Sequence, residues 1–213
     1  MIVNSFEIND ALQLTPLSAE AVAEACQSMD ARIWLDLQDV ETSELQAWLD
    51  KLGIIGLARR LCLEAWDRPG FYPLKSEIIM VIPVMADPAI SQDVGYTTFL
   101  CRENLLLTVH RTRFLDPQRF IDEIQDSESW LAERSIAGLV AAIMIDLSQD
   151  GLRHTTTLRN SIRILEERMD REPDTVKAEE ILEVRSELLT LGAVVSDQLP
   201  ALQALRATDK PLF

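Results

Sequence analysis

Carboxylates on helices are the residues whose type and spacing could do chemistry in this chain. Asp146 and Asp150 stand four apart in a stretch of helical periodicity, so they face the same way. Such a pair could share a hard divalent cation through its oxygens and retained waters. Glu166, Glu167, Asp170, Glu172 and Asp174 cluster further along, but Arg163, Arg168 and Arg171 lie among them, the composition of a solvated face. Asp36 and Asp39 form a second tempting pair. Because Asp36 comes at the end of a strand pattern and before a helix start, it reads as a turn or cap residue. His110 and His154 are the only histidines, and His110, closing a strand pattern, reads as structural.

Machinery for catalysis is missing from the pattern. Seven scattered glycines make no phosphate-cradling loop, and no G-x-S-x-G, H-E-x-x-H or closely spaced cysteine pair occurs. The expectation is a protein that is not an enzyme. Cys26, Cys62 and Cys101 are odd in number, far apart and set in apolar surroundings, as packed and reduced thiols are.

The elements that must position these residues change character along the chain. Ile2–Ile8 and Ala11–Leu14 read as short strands around a turn at Asn9-Asp10, and Ser18 caps a helix predicted over 19–29. Arg32–Leu37 is a strand, Thr42 or Ser43 starts a helix ending at Gly53, and a further helix runs from Ile54 to Trp66. Glu77–Met85, Val94–Cys101 and Asn104–His110 are three consecutive strands, the first an apolar run covered on both faces, the last two joined as a hairpin at Arg102-Glu103. Asp116-Pro117 opens a short helix to Gln125. From Ser135, apolar residues recur at steps of three and four through Met169, which predicts a long helix over 135–171 that Gly151 weakens by roughly 1 kcal/mol against alanine. A second helix follows from Thr175, with Ile181, Val184, Leu188, Leu191 and Val195 expected on its inner face. The expected fold is α/β: an α/β/α sandwich with a mixed sheet over residues 1–130, followed over 131–213 by a long antiparallel helical hairpin.

Composition adds limits. The 213 residues carry a net charge of −15 with 47% hydrophobic and 26% charged residues, the balance of a globular protein. Residues 1–130 hold 21 acids against 10 bases and residues 131–213 hold 14 against 10, a surface that repels nucleic acid and anionic membranes and attracts cations. No signal peptide is legible at the N-terminus, and no window is expected to approach the ~20 apolar residues that span a bilayer, so the chain reads as soluble.

Three motifs in order carry a family resemblance. Trp34-Leu35-Asp36-Leu37 leads into a helix start; Arg68-Pro69 is followed by Lys75 and Glu77-Ile78-Ile79-Met80-Val81-Ile82; Phe99-Leu100 is followed by Asn104-Leu105-Leu106-Leu107-Thr108-Val109-His110. Together they resemble the cytoplasmic domain of the CorA-type divalent-cation transporters. The resemblance implies the soluble sensor or assembly domain of a magnesium/cobalt transporter, on the cytoplasmic face of the cell membrane. That domain does not itself conduct ions, and it forms a pentameric homo-oligomer in the full-length protein. It reaches the membrane only through stalk and transmembrane helices with a Gly-Met-Asn signature, which this chain does not contain. In members with a regulatory Mg²⁺ site, a Glu-Asp pair precedes the Arg-Pro; counting back, those positions fall on Arg60 and Leu61. Neither binds a cation. Glu64, one turn on, could partly substitute, opposed by Arg60 four residues away. The resemblance therefore implies at most a weak regulatory Mg²⁺, with Asp146, Asp150 and Glu64 as candidate ligands. The zinc-transporting branch of the superfamily is an alternative, as is a stand-alone acidic interaction module.

Overall fold

The computed structural model describes residues 2–11, 13–28, 30–64, 68–85, 94–110, 117, 120–122 and 134–207. Seven strands make one sheet: β1 (Ile2–Ile8), β2 (Leu14–Pro16), β3 (Ile33–Gln38), β4 (Gly70–Pro73), β5 (Ile78–Met85), β6 (Val94–Cys101) and β7 (Leu105–His110). Their order is β2-β1-β3-β7-β6-β5-β4, antiparallel throughout except for the parallel pair β3 and β7. That one parallel pairing makes the sheet mixed. All six residues of β3 and of β7 are buried, as expected of central strands covered on both faces.

Alternation along these strands divides the core in two. Ile33, Leu35, Leu37, Leu105, Leu107 and Val109 face a layer made by α1 (Val22–Ala25), α2 (Thr42–Lys51) and α3 (Gly56–Glu64). Trp34, Leu106, Phe99 and Met80 face the other way, against the start of α4 (Ile136–Arg171) and Ala201 of α5 (Ala178–Ala207). The result is the predicted sandwich of helix, sheet and helix. Each buried Leu, Ile, Val, Phe or Met side chain contributes on the order of 1.5–3 kcal/mol, so the two clusters dominate stability.

Local chemistry explains where expectation and structure differ. β2 starts at Leu14 rather than Ala11, because the Asn9 side chain accepts from the backbone N–H groups of Ala11 (2.9 Å) and Gln13 (3.0 Å) and holds the turn open that far. The helix expected over 19–29 shrinks to Val22–Ala25. Beyond it the Cys26 and Ser28 carbonyls accept from the Asn104 side chain at 2.8 and 3.1 Å, which draws the backbone off the helical path. α3 begins at Gly56, not Ile54, because Gly53 and Gly56 both have positive φ, turning the chain while Ile54 plugs into the core. β4 was not expected from the sequence. The helix predicted over 116–125 lies mostly outside the described residues.

In the helical hairpin the first helix keeps its expected bounds, and the second begins at Ala178 rather than Thr175. Ser135 caps α4, its side chain accepting from the Gly138 N–H at 2.9 Å, and Gly151 leaves the helix unbroken. A 3₁₀ turn at Pro173–Thr175 reverses the chain into α5. One expectation is overturned. α5 is long and apolar enough to cross a membrane by length and composition, with a mean hydropathy of 1.3 over its best window, of which 17% is buried. The reason is that apolar residues line two of its sides. Leu191, Val194 and Ala201 are buried, while Ile181, Leu188, Val195 and Leu199 are exposed.

Candidate functional site

The most tightly built polar cluster lies on the α4 side of the sheet and is made by the motif residues of β3 and β7. The parallel register sets Asp36 beside Thr108, and the Thr108 hydroxyl donates to Asp36 Oδ1 at 2.6 Å. Trp34 Nε1 donates to the same hydroxyl oxygen at 3.0 Å. A carboxylate oxygen only accepts, so His110 Nε2, 2.9 Å from Asp36 Oδ1, is the donor in that contact. Asn4 of β1 donates to Asp36 Oδ2 at 3.3 Å. Asp36, Thr108, His110 and Trp34 are all fully buried. This corrects the reading of Asp36 as a turn or cap residue; Asp39, with φ of 51°, is the residue that bends the chain. Sealed from solvent, the cluster has no access for a substrate, and its chemistry is to lock three strands together.

A second lock sits at the β5–β6 end. Arg102 donates through Nε to Glu77 Oε1 at 2.8 Å and through Nη2 to the same oxygen. It also reaches the Leu52 and Gly53 carbonyls at 2.8 and 3.3 Å. One guanidinium thus pins the end of α2 to the sheet. Sequence reasoning singled out Arg102 only as part of a hairpin turn.

The expected metal residues are not brought together. Asp146 is fully buried beneath α4, whereas Asp150, one turn on, is held by Arg153, whose Nε lies 3.1 Å from Asp150 Oδ1 and whose Nη2 contacts the same oxygen. Glu64 is exposed at the end of α3, across the sheet from α4. Arg60 is exposed on the same helix, and Leu61 packs against the core. Among the described residues, no group of three or more His, Cys, Asp or Glu side chains could hold a metal ion.

At the hairpin tip the acids are balanced by arginine, as their composition suggested. Arg168 donates to Glu180 at 2.6 and 3.3 Å and to the Thr175 carbonyl at 3.0 Å. This hydrogen bond and charge hold the Glu180 carboxyl below its ordinary range. Arg163 and Glu167 pair at 2.5 Å. Burial pushes the Cys26 thiol up to about 11 and those of Cys62 and Cys101 up to about 12, which keeps all three protonated and unfit as ligands near neutrality.

Comparison with known proteins adds to this geometry. A family model described as "CorA-like Mg2+ transporter protein" matches residues 30–213. Among curated proteins, none matches by sequence. Among solved structures, the complete CorA magnesium transporter from Methanocaldococcus jannaschii superposes on all of this chain with a TM-score of 0.76 at 18% identity, 65% of that protein being covered. The full-length CmaX protein gives 0.79 at 12% identity over 99% of this chain and 64% of its own. The cytoplasmic domain of ZntB from Vibrio parahaemolyticus gives 0.74 at 17% identity over 98% of this chain and 80% of that one. At these identities the likenesses show a shared fold. This chain spans a little under two thirds of the two full-length structures it matches.

Proposed function

The chain belongs to the CorA-like Mg²⁺ transporter protein family, and on that premise we propose that it is the cytoplasmic sensor or assembly part of a divalent-cation transporter. In this reading it neither conducts ions nor catalyses a reaction. It works in a homo-oligomer, taken as pentameric, at the cytoplasmic face of the membrane. One observation carries the reading: the seven-stranded mixed sheet and its long hairpin superpose, over all of this chain, on the soluble domain of the M. jannaschii CorA protein, at a TM-score of 0.70. The cargo in this reading is Mg²⁺, the ion in the family's description, or Co²⁺. Zinc is the second reading, favoured by the equally close likeness to the ZntB domain.

The regulatory half of the proposal is weak Mg²⁺ contact. With Arg60 and Leu61 where a ligand pair would fall, Asp146 sealed and Asp150 held by Arg153, no described cluster fits a tightly bound ion. Mg²⁺ then gathers through the net charge of −15, with the half-exposed Asp150 and the exposed Glu64 as the local anions. Attraction of that kind is screened by salt, the Debye length falling to about 8 Å near physiological ionic strength. The test is thermal melting with millimolar MgCl₂ at low and at high, matched ionic strength, on the wild type and on Asp150→Asn. The expected stabilisation fades at high salt in both proteins. A ligated site at a hundred times its dissociation constant would instead add about 2.7 kcal/mol, a rise of a few degrees. If such a rise survives salt and disappears in Asp150→Asn, the diffuse reading is wrong.

A further inference from the structure

We infer that the outer part of the helical hairpin is a lever, hinged where it leaves the sheet by soft points that α4 and α5 carry at the same level. The Arg168–Glu180 pair fixes which residues of the two helices stand side by side. Helices of equal rise keep step from there, so Ser148, twenty residues back along α4, stands level with Pro200, twenty residues on along α5. The same level marks the edge of the sheet core. On α4 the residues packed in that core end at Leu147, and on α5 they begin at Ala201. Gln198 secures the docked end of α5 by donating to the Pro83 carbonyl at 2.7 Å. Of the residues from 148 to 200 only Leu158, Leu191 and Val194 are buried, and neither core cluster includes them. Beyond this level the arm is held by its own two helices and not by the sheet.

Each helix is weakened there by its own chemistry. Pro200 lies inside α5. It has no N–H, so the Ser196 carbonyl loses its helical donor, and the proline ring crowds that carbonyl, which bends helices. On α4 the side chains of Ser148, His154, Thr155 and Thr156 donate to the carbonyls of Met144, Asp150, Gly151 and Leu152 at 2.7, 2.9, 2.8 and 2.9 Å. A second donor on a helical carbonyl loosens its backbone bond and favours bending, and Gly151 stands among these residues with no side chain to stiffen its backbone. A soft helix beside a stiff one would be held straight. Two soft points within about two turns of one level let the pair bend as a unit. From hinge to the Arg168–Glu180 pair the arm is roughly 30 Å long at ~1.5 Å per residue, so a bend of about 20° carries the tip through roughly 10 Å while both cores stay intact. The inference rests on the two helices and not on the transporter reading.

Spin-label distances in the 213-residue chain test it. In a Cys26→Ser background the remaining thiols, Cys62 and Cys101, are buried, and labels at Ser43→Cys and Asp170→Cys, both exposed, report from α2 beside the sheet to the far end of the arm. Double electron–electron resonance is expected to give a distance distribution about 10 Å wide, and a markedly narrower one once Pro200→Ala and Gly151→Ala are added. Neither alanine threatens the fold, since one restores the missing N–H and a Cβ at Gly151 meets nothing within 4 Å. A control pair inside the arm, Asp170→Cys with Glu183→Cys, is expected to stay narrow in both proteins. The proposal is overturned if the sheet-to-arm distribution is narrow without the alanines or equally broad with them. It is overturned too if the control pair is as broad as the sheet-to-arm pair, which would place the motion within the arm. Amide exchange checks the same hinge without labels: residues 149–156 are expected to exchange faster than residues 158–165 further out on the same helix, and equal protection of the two stretches contradicts the proposal.

Discussion

Asp36, on β3, collects donors from the two neighbouring strands on one carboxylate: Asn4 from β1, with Thr108 and His110 from β7. Removing it strands buried donors, each at about 1–3 kcal/mol, so Asp36→Ala is expected to cost at least about 3 kcal/mol in urea unfolding, and Asp36→Asn clearly less. A loss under about 1 kcal/mol would show that the network is dispensable. The cluster was not legible beforehand because its partners lie 72 and 74 residues away in the chain, although its members are the residues through which the family resemblance was noticed. Buried thiols give a second prediction. Cys62 and Cys101, raised to about 12, keep their protons in the folded state where the unfolded chain has lost them. Their contribution is complete below the unfolded value near 8.5 and is lost as pH rises from about 9 toward 12. Melting temperature should therefore fall across that window, and fall less in Cys101→Ala once its different starting stability is subtracted. Equal slopes would contradict the assignment.

Helices declared themselves in the sequence to the degree that their pattern was long. α4 begins at its cap, Ser135, and stops at Arg171 as its periodicity predicted, because thirty-six residues of repeating apolar spacing outweigh the mid-helix Gly151. α1, with four residues, was overruled by Asn104 pulling on the backbone beyond it, a contact no local pattern encodes. For α5 the expected inner face is largely wrong: Ile181, Leu188 and Val195 are exposed, while Leu191, Val194 and Ala201 are the residues it buries, because apolar residues on two sides of one helix leave its spacing ambiguous. At the hairpin tip, Arg168 ties the end of α4 to Glu180 and Thr175. Arg168→Ala is expected to speed amide exchange over residues 172–180 while leaving the global melting temperature within about two degrees, since the tip is exposed and its ion pair is screened. Unchanged exchange would mean that the 3₁₀ turn at Pro173–Thr175 holds the reversal without the arginine.

At the scale of the whole molecule, the strongly buried parts are those that build the platform, and the charged, exposed parts are those left to meet ions and partners. The mixed sheet was legible from strands alternating with helices ahead of an antiparallel hairpin, whereas the strand order was not, because the pairing of β3 with β7 joins segments about seventy residues apart. The absence of a ligand pair near Arg60 and Leu61 was legible only against the family pattern, since nothing in two exposed or half-buried positions says what stands there in a relative. Such a domain should be interchangeable in architecture with the soluble part it superposes on. The direct measurement is Mg²⁺ uptake, followed with a trapped fluorescent indicator, into vesicles carrying a chimera in which residues 1–213 replace the matching part of the M. jannaschii CorA transporter. The account predicts that the chimera assembles and takes up Mg²⁺ well above vesicles lacking it. A chimera that inserts, stays folded and oligomeric, and carries no ion would contradict it.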